Sequence, residues 1–460
     1  MNKHRLLLIA FSLVLSLTTI AIAQPTSSPK SAVSETVNAS QKTIDEICNA
    51  AAKRFSIDPS KIMPETDLVA DIGLDRTDLY YWLKELFETW KIPPAPHELT
   101  RVRDIAHYVD NAEPLASNGT KGIDTPPDGQ EDKPKSYVQQ VFFATNRNAI
   151  SDSRPERAFG GDRAAAGKVT YGIASVNIPI THKKGRIETP FMQIRILRDP
   201  SQHIYILGPL KTLSDAEFSS ALGTTKDDLL VYIHGFNVTF EDAITRTAQI
   251  AFDFGFPGAP IAYTWPSDGG DLKNILHYNS DAEDALWSVK YIEGFLSTLQ
   301  NRFPKRKIHI IAHSMGSRVL LNAMRLMAYR NPKPPKFGAI LLCASDFDAG
   351  LFSEQIASEI RNFANHWVVY SSAKDVTLVA SEKLNVAPRL GNTVTLAEGY
   401  QIIDASELEV TPWSVPETHS YYATKKRVID DMVEAIRGLS PKERGLQART
   451  LAAGTVWLLH

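Results

Sequence analysis

The sequence has little cysteine and no excess of charge of one sign. Its 460 residues contain two cysteines, Cys48 and Cys343, in segments that we assign to different domains. Cys343 lies in an apolar run typical of a buried strand, so the sequence argues against a disulfide and indicates two buried thiols. The formal net charge is -2, without a long basic run. Nucleic acid is therefore not an expected partner.

Clusters of metal-ligating residues are also lacking. The twelve histidines do not recur at the spacing of metal ligands, so we predict no metal site and no cofactor. Hydrophobic residues make up 43% of the chain and charged residues 22%. This composition is typical of a globular protein, and the length predicts more than one domain.

The N-terminus carries the longest apolar run. Lys3, His4 and Arg5 precede an apolar stretch over residues 6–23, which ends in Ala21-Ile22-Ala23. This pattern is typical of a signal peptide, so we predict one at residues 1–23, cleavage after Ala23, and a periplasmic or secreted protein. The alternative is an uncleaved anchor, since a span needs about 20 apolar residues. Membrane contact is expected only through that segment. Residues 24–41, rich in Ser, Thr, Pro and Ala, are predicted to form a flexible leader.

Residues 42–111 have the apolar spacing of a small helical bundle. Three groups of apolar residues recur every three or four positions: Ile44, Ile47, Cys48, Ala51 and Phe55; Leu79, Trp82, Leu83, Leu86 and Phe87; Val102, Ile105, Ala106 and Val109. The order of elements, with the loop Asp71-Ile72-Gly73-Leu74-Asp75, resembles acyl carrier protein. That family carries phosphopantetheine on a Ser directly after the loop Asp, where this chain has Arg76. The resemblance implies a degenerate carrier-like domain for docking a protein partner or for spacing. An unrelated three-helix bundle is the alternative.

The rest of the chain alternates between strand and helix patterns. Residues 112–136 are predicted to be a linker, residues 137–440 an α/β domain and residues 441–460 a C-terminal tail. Strands are predicted at 138–145, 169–178, 204–207, 229–233, 259–264, 307–312, 338–344, 366–371 and 400–404, with long helices at 240–254, 281–303, 316–329 and 423–436. This alternation predicts an α/β fold with a doubly wound, mostly parallel sheet.

A candidate nucleophile follows the strand at 307–312. In Ala312-His313-Ser314-Met315-Gly316, Ser314 stands between a strand and a helix, as in the Gly-x-Ser-x-Gly nucleophile elbow, with Ala312 in place of the first Gly. On the five residues alone, a Ser that caps the helix is the more frequent explanation. The downstream acid and histidine favour the nucleophile instead.

The proposed partners follow in the order nucleophile, acid, histidine. Asp375 comes after the strand at 366–371, and His419 precedes the helix at 423–436. We predict His419 as general base and Asp375 as its acid, with Asp346, Asp348 or Asp404 as alternative acids. Upstream, His234-Gly235-Phe236-Asn237 closes the strand at 229–233. The backbone N–H groups of Phe236 and Met315 are the predicted oxyanion-hole donors. His234 and His313 are expected to have structural roles.

Residues 138–437 resemble a group of bacterial α/β-hydrolases known as esterase/lipase superfamily enzymes. The resemblance is carried by the stretches 142–147, 171–179, 234–237, 312–316 and 419–422. It implies the α/β-hydrolase fold, a Ser/Asp/His triad and hydrolysis of a small-molecule ester or acyl substrate. The alternative is a catalytically silent binding or scaffold protein with the same fold. Trp265, Phe236, Met315 and Tyr421 are candidates for an acyl pocket or for the core.

Overall fold

The chain divides into two compact units, residues 1–128 and 129–460. The structure, a computed structural model, describes residues 40–55, 57–68, 71–72, 99–111, 136–152, 154–189, 198–225, 227–269, 277–331, 335–410 and 418–460, with residues 79, 82, 83, 86, 87 and 90. The predicted signal peptide, most of the leader, Arg76 and the linker before residue 136 lie outside these ranges. Within them, no helix has both the length and the apolar character needed to cross a bilayer.

The N-terminal unit has a helical core. Helices α1 (Gln41–Phe55) and α2 (Val102–Asn111) are described in full. They are joined where the Asp110 carboxylate accepts the Ser40 N–H at 2.6 Å and the Thr43 hydroxyl at 2.5 Å. Apolar residues from all three predicted helical groups pack into one cluster: Ile44, Ile47, Ala51, Ala52, Ile62, Leu68, Leu79, Trp82, Leu83, Phe87, Leu99, Val102, Ile105 and Ala106.

The second unit alternates strands with helices. Its described strands are β1 (Ser136–Thr145), β2 (Arg147–Ala149), β3 (Phe159–Arg163), β4 (Thr170–Pro179), β5 (Tyr205–Leu213), β6 (Leu229–Ile233), β7 (Ala259–Thr264), β8 (Ile308–His313), β9 (Phe337–Cys343), β10 (Ala364–Ser371), β11 (Tyr400–Asp404), β12 (Gln447–Leu451) and β13 (Gly454–Leu458). Its described helices are α3 (Asp215–Thr224), α4 (Phe240–Phe254), α5 (Tyr278–Arg302), α6 (Gly316–Arg330), α7 (Ala349–Leu351), α8 (Ala357–Ile360), α9 (Val376–Asn385), α10 (Tyr421–Thr424) and α11 (Lys426–Arg437).

Within these described residues, eleven strands form one sheet in the order β12-β13-β11-β10-β9-β8-β6-β7-β1-β4-β5. Every neighbouring pair from β13 to β1 is parallel. Antiparallel strands extend both edges, with β4 and β5 on one side and β12 on the other. The predicted mostly parallel α/β sheet is confirmed.

Helices cover both faces of this sheet because its central strands are apolar on both sides. In β6, Leu229, Val231 and Ile233 pack into a cluster with α5 and α6. The alternate residues Leu230 and Tyr232 enter a second cluster with α4 and α11. Strand β8 lies in the middle of the sheet, so its carboxyl end opens onto the edge where ligands bind in doubly wound folds.

The predicted C-terminal tail at residues 441–460 is wrong. Strands β12 and β13 form an antiparallel hairpin, and β13 pairs in parallel with β11. Val456 and Leu459 are fully buried. The pattern gave no sign of this because all five residues of β12 are exposed and lack apolar alternation. The strand at Tyr400–Asp404 is therefore not the last of the sheet.

Candidate active site

Ser314 occupies a sharp turn between β8 and α6. Its φ of 51° lies in the left-handed region, which costs a residue with a side chain of order 1–3 kcal/mol. The Ser314 N–H donates to the Cys343 carbonyl at 3.0 Å, and the Ser314 carbonyl accepts the Asp346 N–H at 3.1 Å. The strained turn is thus anchored to the end of the neighbouring strand β9.

Close packing around this turn requires two glycines, Gly316 in the turn itself and Gly235 in the loop after β6. A Cβ on Gly316 would lie 2.3 Å from the His234 carbonyl oxygen, and a Cβ on Gly235 would lie 2.8 Å from the Cβ of Ser314. Both separations are shorter than van der Waals contact, so the loop after β6 packs directly against the Ser314 turn. Ala312, where glycine is the usual residue, is fully buried in the core.

His419 lies just before α10 and pairs with Asp375. The His419 Nδ1 is 2.7 Å from the Asp375 Oδ2. Asp375 is fully buried and caps α9, where its Oδ1 accepts the Leu378 N–H at 3.0 Å. The cap fixes the orientation of the carboxylate. A proton on Nδ1 facing Asp375 leaves Nε2 as the basic nitrogen of the ring.

The electrostatics of His419 follow from this pair. Burial disfavours the charged imidazolium, but the charge of Asp375 and its hydrogen bond favour it, and the pKa of His419 is raised above its ordinary value. The His419 ring lies 4.8 Å from the ring of His313, the residue before Ser314. Both Ser314 and His419 are buried. The structure therefore brings Ser314, Asp375 and His419 to one edge of the sheet.

The alternative acids are engaged elsewhere. Asp346 is bound by the Tyr278 hydroxyl at 2.7 Å, the Ser381 hydroxyl at 2.5 Å and the Arg318 guanidinium at 3.1 Å. Asp348 caps α7, and Asp404 pairs with Arg449 at 3.0 Å. Among the described residues, Asp375 is the one carboxylate that forms a hydrogen bond with the His419 ring.

The N–H groups of Phe236 and Met315 have no hydrogen-bond acceptor among the described residues. Phe236 lies in the turn after β6, next to Asn237, whose φ is 56°. The following N–H groups of the same turn are paired: Asn237 donates to Asp281 at 3.4 Å and Val238 to Ser267 at 3.2 Å. Two unpaired N–H groups are therefore available at the Ser314 turn.

Two aromatic candidates for an acyl pocket belong to the core instead. Trp265 is fully buried, stacks on His234 at 5.0 Å, and donates its indole N–H to the His234 carbonyl at 2.8 Å. Tyr421 is 1% exposed and donates its hydroxyl to the Tyr370 carbonyl at 3.0 Å. Neither side chain has a free surface for an acyl group.

Sequence reasoning assigned no role to Arg147, which contacts the Phe236 turn. Its guanidinium is 2.6 Å from the Val238 carbonyl and 3.2 Å from the His234 Nε2. A single arginine after a strand is an ordinary surface pattern, so its burial could not be inferred. The one available signal was that Arg147 and His234 lie in two of the stretches that carry the family resemblance.

Comparison with known proteins supports this fold. Residues 211–436 match the family described as alpha/beta hydrolase of unknown function (DUF900). An uncharacterized protein of Nostoc sp. is 24% identical over 131 residues, which cover 23% of this chain and 33% of that protein. The chain thus spans about a third of the length of this relative.

A different relative is an acyl carrier protein of Campylobacter jejuni subsp. doylei. It is 33% identical over 73 residues, which cover 15% of this chain and 94% of that protein. The match hints at a carrier-like segment, as the sequence resemblance predicted. The larger unit of the chain therefore has the fold of an α/β-hydrolase, similar over residues 211–436 to a family of hydrolases of unknown function.

Proposed function

We propose that the protein is an exported serine hydrolase that cleaves an ester-type bond in a small molecule. The observation that carries the proposal is a serine at φ 51° on the β8–α6 turn, at the same edge of the sheet as a histidine whose Nδ1 is 2.7 Å from a buried carboxylate. This combination matches the Ser-His-Asp arrangement of acyl-transfer enzymes. Export is part of the proposal because of the signal-like sequence at residues 1–23.

The proposed reaction begins with attack of the Ser314 hydroxyl on the substrate carbonyl. His419 accepts the hydroxyl proton, and Asp375 holds the ring with Nδ1 protonated. The carbonyl electrons move onto oxygen, where the N–H groups of Phe236 and Met315 donate to the oxyanion. The ester C–O bond then breaks, and the leaving alcohol takes the proton from His419. Water, deprotonated by His419, releases the acid from Ser314 in a second step of the same kind.

We further propose soluble esters as the substrates. A lipase needs an apolar lid that can open, and the β9–β10 connection is the candidate segment for one. Its apolar residues Phe352, Ile356 and Ile360 are fully buried in the core, where they pack with the sheet. A segment packed in this way is unsuited to open as a lid.

Labelling with a fluorophosphonate probe tests the proposal. The purified protein should be labelled and should hydrolyse p-nitrophenyl acetate, because both reactions need an activated serine. Ser314→Ala should lose the label and at least a thousandfold in turnover, on the order of the loss when a triad serine is removed. Ser317→Ala, in the first turn of α6, is the matched control and should keep both. A panel of acyl esters of graded length then ranks the substrates.

Absence of label and of turnover in the unaltered, folded protein would contradict the hydrolase. It would favour the alternative, a binding or scaffold protein that retains the fold.

A further inference from the structure

The turn that carries Phe236 is held from several sides. The His234 carbonyl accepts the Trp265 indole N–H at 2.8 Å, and the Val238 N–H donates to the Ser267 hydroxyl at 3.2 Å. The Val238 carbonyl accepts the Arg147 guanidinium at 2.6 Å. Among these paired groups the Phe236 N–H has no acceptor within the described residues. The turn is therefore rigid around one free donor.

Arg147 joins this turn to the rest of the site. It follows β1 and is 1% exposed. Its Nη1 donates to the carbonyls of Gly160 at 3.0 Å and Ser267 at 2.8 Å, and its Nη2 reaches Val238 and the His234 Nε2. One planar guanidinium thus fastens three chain segments, a geometry that a lysine ammonium cannot reproduce.

The His234 ring links Arg147 to Gly235, the residue before Phe236. Its Nε2 faces two donors, the Arg147 guanidinium and the Trp265 N–H at 3.1 Å, so Nε2 carries no proton. Nδ1 is then protonated and donates to the Gly235 carbonyl at 2.8 Å. Burial and the charge of Arg147 lower the pKa of His234 well below its ordinary value, which keeps the ring neutral. The ring therefore has one tautomer and one orientation.

We propose that Arg147 is the positioning residue of the oxyanion hole: through Val238 and His234 it fixes the turn that presents the Phe236 N–H to Ser314. Arg147 does not touch the reacting atoms. The inference rests on the proposed function, because the free N–H acts on an oxyanion only if Ser314 attacks a carbonyl. A displacement of about 1 Å in such a donor lowers a rate by about a hundredfold.

The experiment compares Arg147→Met and Arg147→Lys with Arg306→Met in the full chain. Arg306, just before the amino end of β8, is a matched control because its guanidinium also joins distant parts of the chain. It donates to the Leu222 carbonyl at 2.8 Å and to the Thr225 hydroxyl at 2.9 Å, both at the end of α3. Circular dichroism establishes that each variant is folded. Arg147→Lys retains the charge and remains informative if Arg147→Met does not fold.

Three readouts are needed. Arg147→Met should lower kcat/KM for p-nitrophenyl acetate, and the affinity for a boronic acid that mimics the tetrahedral intermediate, by about a hundredfold each. Arg147→Lys should lose less, and Arg306→Met should stay within about threefold. Amide hydrogen exchange of the peptide that covers residues 234–238 should accelerate in the Arg147 variants and not in Arg306→Met.

Unchanged hydrogen exchange at residues 234–238 in a folded Arg147 variant would overturn the inference, whatever the activity. Equal losses of kcat/KM and of boronate affinity in the Arg147 and Arg306 variants would also overturn it. An unaltered protein that neither turns over ester nor binds boronate would instead defeat the proposed function, while exchange at residues 234–238 would still decide whether Arg147 holds the turn.

Discussion

At the residue scale, the site depends on a carboxylate with two tasks. Asp375 caps α9 through one oxygen and holds His419 through the other. The helix cap fixes the carboxylate, and the carboxylate in turn fixes the imidazole. The same contact raises the pKa of His419 against the opposing effect of burial. Ring orientation and basicity therefore have a common origin.

We expect kcat/KM to fall as the pH drops through a midpoint above 6.5, the ordinary value for histidine, because a protonated His419 accepts no proton. In Asp375→Asn, burial remains and the favourable carboxylate is removed. Its midpoint should shift to lower pH, and its rate should fall by roughly ten thousandfold. The pH dependence of ester hydrolysis in both proteins measures this. A midpoint that Asp375→Asn leaves in place would show that another group controls the rate.

The sequence alone predicted Ser314, Asp375 and His419 because each follows a recognisable strand in the order that the fold imposes. It left four acids open, since chain order does not state which carboxylate reaches the imidazole. Only the structure distinguishes Asp346 from Asp375 as the partner of His419, because Asp346 is bound instead by Tyr278 from α5 and Ser381 from α9. Arg147 was not predicted for the same reason, because its partners come from distant parts of the chain.

At the element scale, a buried histidine ties the loop after β4 to α4. The His182 Nδ1 lies 2.8 Å from Glu188 and its Nε2 lies 2.9 Å from Asp253, so both ring nitrogens donate and the ring is an imidazolium. Asp253 also accepts the Gly185 N–H at 2.7 Å. Burial opposes the charge, but the two carboxylates outweigh it and raise the pKa of His182 to about 9. The loop is thus held by a charge that depends on pH.

The raised pKa of His182 has a defined effect on stability. A group whose pKa is higher in the folded chain stabilises it fully below its unfolded value, about 6.5, and loses that contribution as the pH rises through about 9. His182→Gln should lower the free energy of unfolding by about 1–3 kcal/mol at pH 6, with a difference that shrinks towards pH 10. Urea denaturation across this range is the measurement. In an Asp253→Asn background, His182→Gln should have a smaller effect on the free energy of unfolding, and that effect should vanish at a lower pH. An effect of His182→Gln that does not depend on pH would contradict the assignment.

Strands and helices were predictable where burial imposes a pattern. β6, α4 and β7 have the predicted bounds because an apolar run or an amphipathic period is all that their positions demand. The helix predicted at 423–436 is divided in the structure, since Lys425 leaves the helical conformation between α10 and α11. Such a break has no signature in the helical period of the sequence.

At the scale of the whole molecule, a buried ion pair joins the C-terminal hairpin region to the sheet. Arg444 and Asp431 approach to 2.6 Å, and both side chains are fully buried. Asp431 also accepts the Tyr370 hydroxyl at 2.6 Å, and Arg444 donates to Gln401 at 2.6 Å. The pair thus connects α11, β10 and β11 to the segment that leads into β12.

Asp431→Ala should lower the free energy of unfolding by about 3–5 kcal/mol, because it leaves the Arg444 guanidinium buried without its partner. Asp431→Leu combined with Arg444→Met removes both charges and should recover most of that loss. Urea denaturation of the two proteins, with circular dichroism as the signal, gives the comparison. If the double variant is as unstable as Asp431→Ala, the defect is one of packing and not of an unpaired charge.

Three residues with side chains adopt left-handed backbone angles at one rim of the sheet: Asn237 after β6, Ser314 after β8 and Ala344 after β9. Glycine would adopt each of these angles without strain. At position 314 the free energy of folding therefore favours glycine, whereas the proposed hydrolysis requires the serine hydroxyl. Selection for heat stability alone would therefore favour Ser314→Gly, which would remove the hydroxyl that the proposed hydrolysis requires.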